Sequence, residues 1–265
     1  MSARAKQALV TGASAGIGVA LARVLARRGY YLVLTARRED RLQALARELR
    51  ADHNVQVHVR PADLADPETP ANLVAGISRD GLPIDVLINN AGYGLAGRFR
   101  DTSWPEQRAF LQVLVHAPCE LSQLLLPEMQ ARHYGRIMNV ASVAGLIPGS
   151  MSHSLYGAAK AFLISFSQSL HAENIESGVH VSALCPGLTY SEFHDVNGSR
   201  ETMRRVPKFL WLDPVHVAEE GYAALEANQV LCVPGLQYKA LTALVRLLPR
   251  RAAHAMAARV GARRR

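Results

Sequence analysis

Gln7-Ala8-Leu9-Val10-Thr11-Gly12-Ala13-Ser14-Ala15-Gly16-Ile17-Gly18 decides the fold. Its first five residues are an apolar run of strand length. A glycine-rich turn follows, then the amphipathic stretch Val19 to Arg28, stopped by Gly29. Strand, glycine turn and helix form the first half of a dinucleotide-binding βαβ unit. Glycine lets the backbone approach a pyrophosphate, and a helix N-terminus offers unpaired N–H groups to its negative charge. The spacing is G-x-x-x-G-x-G, and Gly12, Ser14, Ala15, Gly16, Ile17 and Gly18 are expected around the phosphates.

The next apolar run, Tyr30 to Thr35, reads as a second strand and ends at Ala36-Arg37-Arg38. A cofactor with a free ribose 2′-hydroxyl calls for a carboxylate there. Alanine stands in its place, and two guanidinium groups follow that suit a 2′-phosphate. Arg37 and Arg38 therefore favour NADP(H) over NAD(H); the alternative is that they only cap a helix starting at Glu39-Asp40. Further strands are expected at Val55–Val59, Val86–Ile88, Ile137–Val140 and His180–Leu184, alternating with helical stretches. That alternation reads as an α/β, doubly wound parallel sheet with helices on both faces. The 265 residues suffice for one large domain over 1–235, with a basic C-terminal helix and tail over 236–265.

Chemistry is carried by Ser142, Tyr156 and Lys160. A phenol is a useful proton donor when its pKa falls from about 10 toward neutrality, and a cation one helical turn away pushes it that way. The i, i+4 spacing of Tyr156 and Lys160 puts both on one helix face. A serine hydroxyl at 142 can hold a carbonyl oxygen beside the phenol. Each has a plain alternative as helix tyrosine, surface cation or strand-end hydroxyl.

Together these motifs resemble the short-chain dehydrogenase/reductases. The resemblance rests on Thr11 to Gly18, Asp63-Leu64, Asn89-Asn90-Ala91-Gly92, the trio Ser142, Tyr156 and Lys160, and Pro186-Gly187-Leu188-Thr189, all in order. It implies a single-domain Rossmann-type fold and hydride transfer between NADP(H) and the carbonyl or alcohol carbon of a substrate. Tyr156 would be the general acid/base, Ser142 would bind the substrate oxygen, and Lys160 would also bond the nicotinamide ribose. By the same resemblance, Asp63 and Leu64 border the adenine, and Asn90, Ala91 and Gly92 pack beside the cofactor. Pro186, Gly187 and Thr189 would hold the nicotinamide. The resemblance also implies a homodimer or homotetramer formed through helices near 104–131 and 154–174, and a lid over about 188–212 that would cover the substrate.

One position departs from the pattern. Counting back from Leu124-Leu125-Leu126-Pro127-Glu128-Met129 puts Leu114 where the family often has a proton-relay asparagine. In a continuous helix, Pro118 lacks the N–H that the Leu114 carbonyl would accept from, so this carbonyl is free to hold a relay water. An NADP(H)-binding sensor or scaffold with little turnover is the alternative function. Phe193, Val206, Phe209, Leu210 and Trp211 on the lid, facing Leu146, Ile147, Pro148, His153 and Leu155, suggest a small hydrophobic carbonyl or alcohol substrate. His153 and His194 show no metal-ligand pattern.

Net charge is +8, and eight basic residues from Lys239 onward account for all of it; no acid follows Glu226. A balanced body argues against nucleic acid as a partner. Leu241, Leu244, Val245 and Leu248 form a stripe at helical spacing that Pro249 ends. The stripe and tail read either as a peripheral membrane contact or as a terminal helix packed on the body. Cys119, Cys185 and Cys232 have no disulfide or metal spacing, and no secretory h-region or apolar run near ~20 residues appears, so a cytoplasmic setting is expected.

Overall fold

Strands and helices alternate in the computed structural model, which describes residues 4–95, 97–149, 154–190, 207–249 and 251. The order is β1 (Gln7–Thr11), α1 (Gly16–Arg27), β2 (Tyr31–Thr35), α2 (Glu39–His53), β3 (Val57–Val59), α3 (Thr69–Arg79) and β4 (Val86–Asn89). It continues through α4 (Trp104–Leu111), a π-helical segment (Gln112–His116), α5 (Ala117–Ala131), β5 (Gly135–Val140), α6 (Ser154–Glu173) and β6 (Val179–Leu184). α7 (Pro214–Glu226), β7 (Leu231–Cys232) and α8 (Leu236–Leu247) complete it.

The seven strands form one parallel sheet in the order β3-β2-β1-β4-β5-β6-β7. The strands are buried on both faces, and their side chains alternate between two cores. Ala8 and Val10 point to one core and Leu9 to the other; Leu32 and Leu34 oppose Val33, and Val86 and Ile88 oppose Leu87. α1, α2 and α7 cover the first face with Leu21, Val24, Leu42, Leu49, Val217 and Leu225. α3, α5 and α6 cover the second with Ile77, Leu121, Met129 and Leu170. Continuous apolar strands under two helix layers are the expected solution for a parallel sheet.

After β1 the chain adds β2 and β3 on one side and then returns to place β4 on the other. This reversal opens a crevice beyond the carboxyl ends of β1 and β4, where ligands bind in such sheets.

Several elements differ from the sequence expectation. α1 starts at Gly16, earlier than Val19, because the glycine turn itself supplies the first helical residues. β2 and β3 begin one and two residues later than read, at the points where pairing to β1 and β2 starts. β7 has two residues, too short for any periodicity, and exists through pairing with Ala183 and Leu184. The run Trp104–Ala131 is 28 residues long with a hydropathy of 1.3 in its most apolar window, enough by length and composition alone for a membrane span. Here Phe110, Leu114, Leu121, Leu125 and Met129 on that run are buried in the protein cores.

Candidate active site

The glycine turn closes tightly on the sheet. A Cβ on Gly18 would overlap the Gly12 carbonyl oxygen and sit 2.5 Å from Asn90 Nδ2, so only glycine lets the turn close against β4. Gly12 and Gly16 have φ of 66° and 54°, in the left-handed region. Asn90 clamps the turn: its Nδ2 donates to the Thr11 and Gly12 carbonyls at 2.9 and 3.2 Å. Thr11 Oγ1 accepts from the Asn90 and Ala91 amides, both at 3.0 Å, and donates to the Ile88 carbonyl. The N-terminus of α1 has no side-chain cap at Ala15 and no acid in its first turn, so its positive end suits an anion.

Arg38 occupies the N-cap position of α2 but makes no side-chain cap bond. Its guanidinium instead reaches back across the crevice edge and donates to Ser14 Oγ at 3.1 and 3.4 Å. Arg37 is exposed beside it. Asp63 is also exposed and accepts from the Ala65 amide at 3.0 Å, while Leu64 is buried with Phe110 and Leu114.

α6 carries Tyr156 and Lys160. Its buried positions are Ala159, Lys160, Leu163, Ile164, Ser167 and Leu170, so the lysine sits within a core-facing stripe. A buried ammonium is costly unless bonded; Lys160 Nζ donates to the Val140 carbonyl at 2.7 Å. Burial still pulls its pKa down to about 8. Ser142 ends the stretch after β5, where its Oγ accepts from the Ala144 amide at 3.1 Å and donates to the Pro186 carbonyl at a long 3.5 Å. Ser142 also hydrogen-bonds Tyr156.

The electrostatics correct one expectation. Burial pushes the Tyr156 phenol up to about 12, and the hydrogen bond with Ser142 only partly opposes this. Lys160 Nζ lies 5.8 Å from the ring centroid, and the downward pull expected from this cation does not govern the phenol. Tyr156 is partly exposed as a residue, through a cleft bounded by Leu95, Phe99, Phe110 and Leu155, but its ionising end is surrounded by protein.

Two supports escaped the sequence reading. A polar thread crosses the second core: Asn89 Nδ2 donates to Asn139 Oδ1 at 2.9 Å, and Asn139 Nδ2 donates to Ser167 Oγ at 2.9 Å. It ties β4, β5 and α6 together, and its only sequence signal is a polar residue at apolar-stripe positions. The second support is Gly145, in the short 3₁₀ turn Val143–Gly145. A Cβ there would lie 2.6 Å from both the Lys160 carbonyl carbon and the Ala161 nitrogen. The turn carrying Ser142 thus seats directly on the α6 backbone at Lys160. Gly145→Ala forces two backbones apart. It should lower Tm by about 5 °C, the equivalent of about 2 kcal/mol of overpacking. It should also cut turnover by about tenfold or more through misplacement of Ser142 against Tyr156. Thermal melts and kinetics check this; unchanged values for both would show that the turn is free to shift.

The remaining motif residues converge on the same sheet edge. The Val143 amide donates to the Pro186 carbonyl at 3.0 Å, and Thr189 Oγ1 donates to the Gly187 carbonyl at 3.1 Å. A side chain on Gly92 would meet Leu114 Cγ and Lys160 Nζ, both at 3.7 Å, so these two residues flank it. Leu114 is fully buried, and the helix through it is not α-helical throughout. Gln112–His116 is π-helical, with the Ala117 amide donating to the Gln112 carbonyl five residues back. Pro118 follows directly, with His116 and Ala117 before it both in helical conformation, so it lies inside the helical run and brings no N–H to the ladder there. The wide turn at Leu114 therefore directly precedes the proline. π-Segments of this kind recur at functional sites. Of the lid residues, 191–206, which include Phe193, His194 and Val206, lie outside the described residues, as does His153. Among the described residues no group of His, Cys, Asp or Glu could hold a metal ion.

Residues 6–202 match the short chain dehydrogenase family. The chain is 37% identical over 182 residues to the ketoacyl reductase HetN of Nostoc sp., a stretch covering 69% of this chain and 63% of that protein. Its matches span about three fifths of the length of the first curated relatives. Among solved structures, it resembles a short-chain dehydrogenase from Sphingobium yanoikuyae in complex with NADPH. The TM-score is 0.80 at 31% identity, covering 92% of this chain and 97% of that one. It also resembles a bulky-bulky ketone specific alcohol dehydrogenase from Comamonas testosteroni, with a TM-score of 0.77 at 28% identity over 94% and 96% of the two chains. Matched along most of its length in sequence and nearly all of it in fold, the chain belongs to the short-chain dehydrogenase family of oxidoreductases.

Proposed function

We propose that this chain is an NADP(H)-dependent carbonyl reductase or alcohol dehydrogenase for a hydrophobic substrate, with Ser142, Tyr156 and Lys160 as its catalytic residues. The observation that carries this reading is the Ser142–Tyr156 hydrogen bond, with the buried Lys160 Nζ 5.8 Å from the phenol ring, at a cleft where Leu95, Phe99, Phe110 and Leu155 are joined by Arg98, Thr102 and Ser154. The nicotinamide would supply or accept the hydride. Gly12 to Gly18 and the α1 N-terminus would hold its pyrophosphate, and Arg37 and Arg38 its 2′-phosphate. Asp63 and Leu64 would lie by the adenine, with Asn90, Ala91 and Gly92 behind the cofactor and Pro186, Gly187 and Thr189 by the nicotinamide.

Ser142 donates to the substrate oxygen and steadies charge developing there. Tyr156, neutral far beyond physiological pH, donates the proton as general acid; in the reverse direction it takes one. Lys160 supplies positive charge beneath both. Leu95, Phe99, Phe110 and Leu155 favour an apolar substrate body, in keeping with the ketone and ketoacyl activities of the similar proteins. Self-association through α5 and α6, where Leu124 and Phe162 offer exposed apolar surface, fits the same reading.

A pH profile of NADPH-dependent reduction over a panel of hydrophobic ketones and aldehydes tests it. Lys160 is cationic below about 8 and neutral above, whereas Tyr156 keeps its proton to about 12. For reduction, kcat/KM should be flat on the acid side of about 8 and fall as pH rises past it. Lys160→Arg should move the falling limb to higher pH. A profile unmoved by that substitution would remove Lys160 from the titrating step.

A further inference from the structure

α8 turns its apolar face the wrong way for a packed terminal helix. Tyr238, Thr242 and Val245 are its buried residues. Leu236, Leu244 and Leu247, on the opposite side, are 81%, 53% and 84% exposed, with Leu241 at their edge. The stripe of Leu241, Leu244, Val245 and Leu248 read from the sequence is therefore divided: Val245 packs inward and Leu244 outward. At 100° per residue, Leu236, Ala240, Leu244 and Leu247 share one arc, and Lys239 and Arg246 border it on one side. Lys239 bonds Glu220 on α7, but α8 itself carries no acid, and the sequence after it adds Arg250, Arg251, Arg259, Arg263, Arg264 and Arg265.

The same helix grips the described flank of the substrate lid. Tyr238 Oη donates to the Leu210 carbonyl at 2.6 Å and accepts from the Leu188 amide at 3.0 Å. Gln237 Nε2 donates to the Phe209 carbonyl at 3.4 Å. Phe209, held beside α8, is 72% exposed.

We propose that the outward face of α8, with Phe209, docks on an anionic lipid surface. An exposed leucine face bordered by cations is the chemistry of an interfacial helix: leucines enter the acyl boundary and cations meet the headgroups. A second copy of this chain fits less well. On α8 no acid is present to meet the Arg246 of a second copy, and Glu220 of α7 is already paired with Lys239. The docking does not depend on the substrate proposed above.

Co-sedimentation of the full chain with phosphatidylcholine vesicles, with and without phosphatidylglycerol, tests the surface. Lipid-free sedimentation velocity and turnover of a water-soluble ketone run in parallel. Wild type should pellet with the anionic vesicles and be released by high salt. Leu244→Asp/Leu247→Asp should bind about tenfold more weakly or worse, with unchanged lipid-free turnover and sedimentation. Arg246→Glu/Arg251→Glu should weaken binding to anionic vesicles alone. Equal pelleting of wild type and the leucine variant, or no wild-type pelleting, overturns the proposal. So does a leucine variant that changes lipid-free sedimentation while vesicle binding is absent, which would assign the face to a second copy.

Discussion

Tyr156→Phe should lower kcat by about 10³-fold while leaving the Kd for NADPH within about threefold of wild type. The substitution removes one hydroxyl and keeps the ring that lines the cleft beside Phe110 and Leu155. Because burial holds the phenol proton on to about pH 12, wild-type Tyr156 is fully charged with a proton to give at neutral pH. Its high pKa makes it a reluctant donor in isolation. The donor becomes competent only as negative charge grows on the substrate oxygen, when Ser142 and the cation of Lys160 begin to matter. Stopped-flow measurement of NADPH oxidation beside a binding titration separates the two quantities. A variant retaining kcat within about tenfold would assign the proton to water or to Ser142.

Arg37→Ala/Arg38→Ala should raise the KM for NADPH enough to lower kcat/KM about 10²-fold, with kcat/KM for NADH changed by less than about threefold. Charge-assisted hydrogen bonds contribute about 1.5–3 kcal/mol each, and exposure at Arg37 puts this pair at the low end, about 3 kcal/mol in sum. Arg38 already leans over the glycine turn onto Ser14, so its guanidinium is placed at the crevice edge. Ala36 offers no carboxylate to a ribose hydroxyl. Equal losses with both cofactors would mean that the arginines shape α2 and do not read the phosphate.

The βαβ core was legible because its strands are buried on both faces and its turn allows only glycine at Gly18. Burial of that kind writes continuous apolar runs, and a backbone approach of that kind writes a fixed glycine spacing. β7 left no such trace, since two residues have no period. The π-segment was invisible for a different reason. Inserting one residue per turn at Gln112–His116 shifts the helix phase without changing composition, so the apolar pattern does not mark it, and only Pro118 just after it signals an irregular ladder.

At the site, spacing singled out Ser142, Tyr156 and Lys160 as candidates but did not give their electrostatics. The i, i+4 rule brings Lys160 to the right helix face, yet the face is buried, and desolvation moves both groups against their charged forms. Gly145, Asn139 and Ser167 act through contacts between elements distant in sequence, so no local pattern marks them. On α8 the apolar period was plain, but period alone does not say which arc meets the core; Tyr238, on the lid latch, decides that.

The central claim is that this chain turns over carbonyls with NADPH and does not merely bind the cofactor. The most direct test titrates NADPH against the full chain and follows its consumption over a panel of hydrophobic ketones and aldehydes, with Tyr156→Phe in parallel. The predicted result is binding by both proteins and consumption by wild type alone. Tight NADPH binding by wild type with no consumption on any carbonyl would contradict it, and would make the chain a nucleotide sensor.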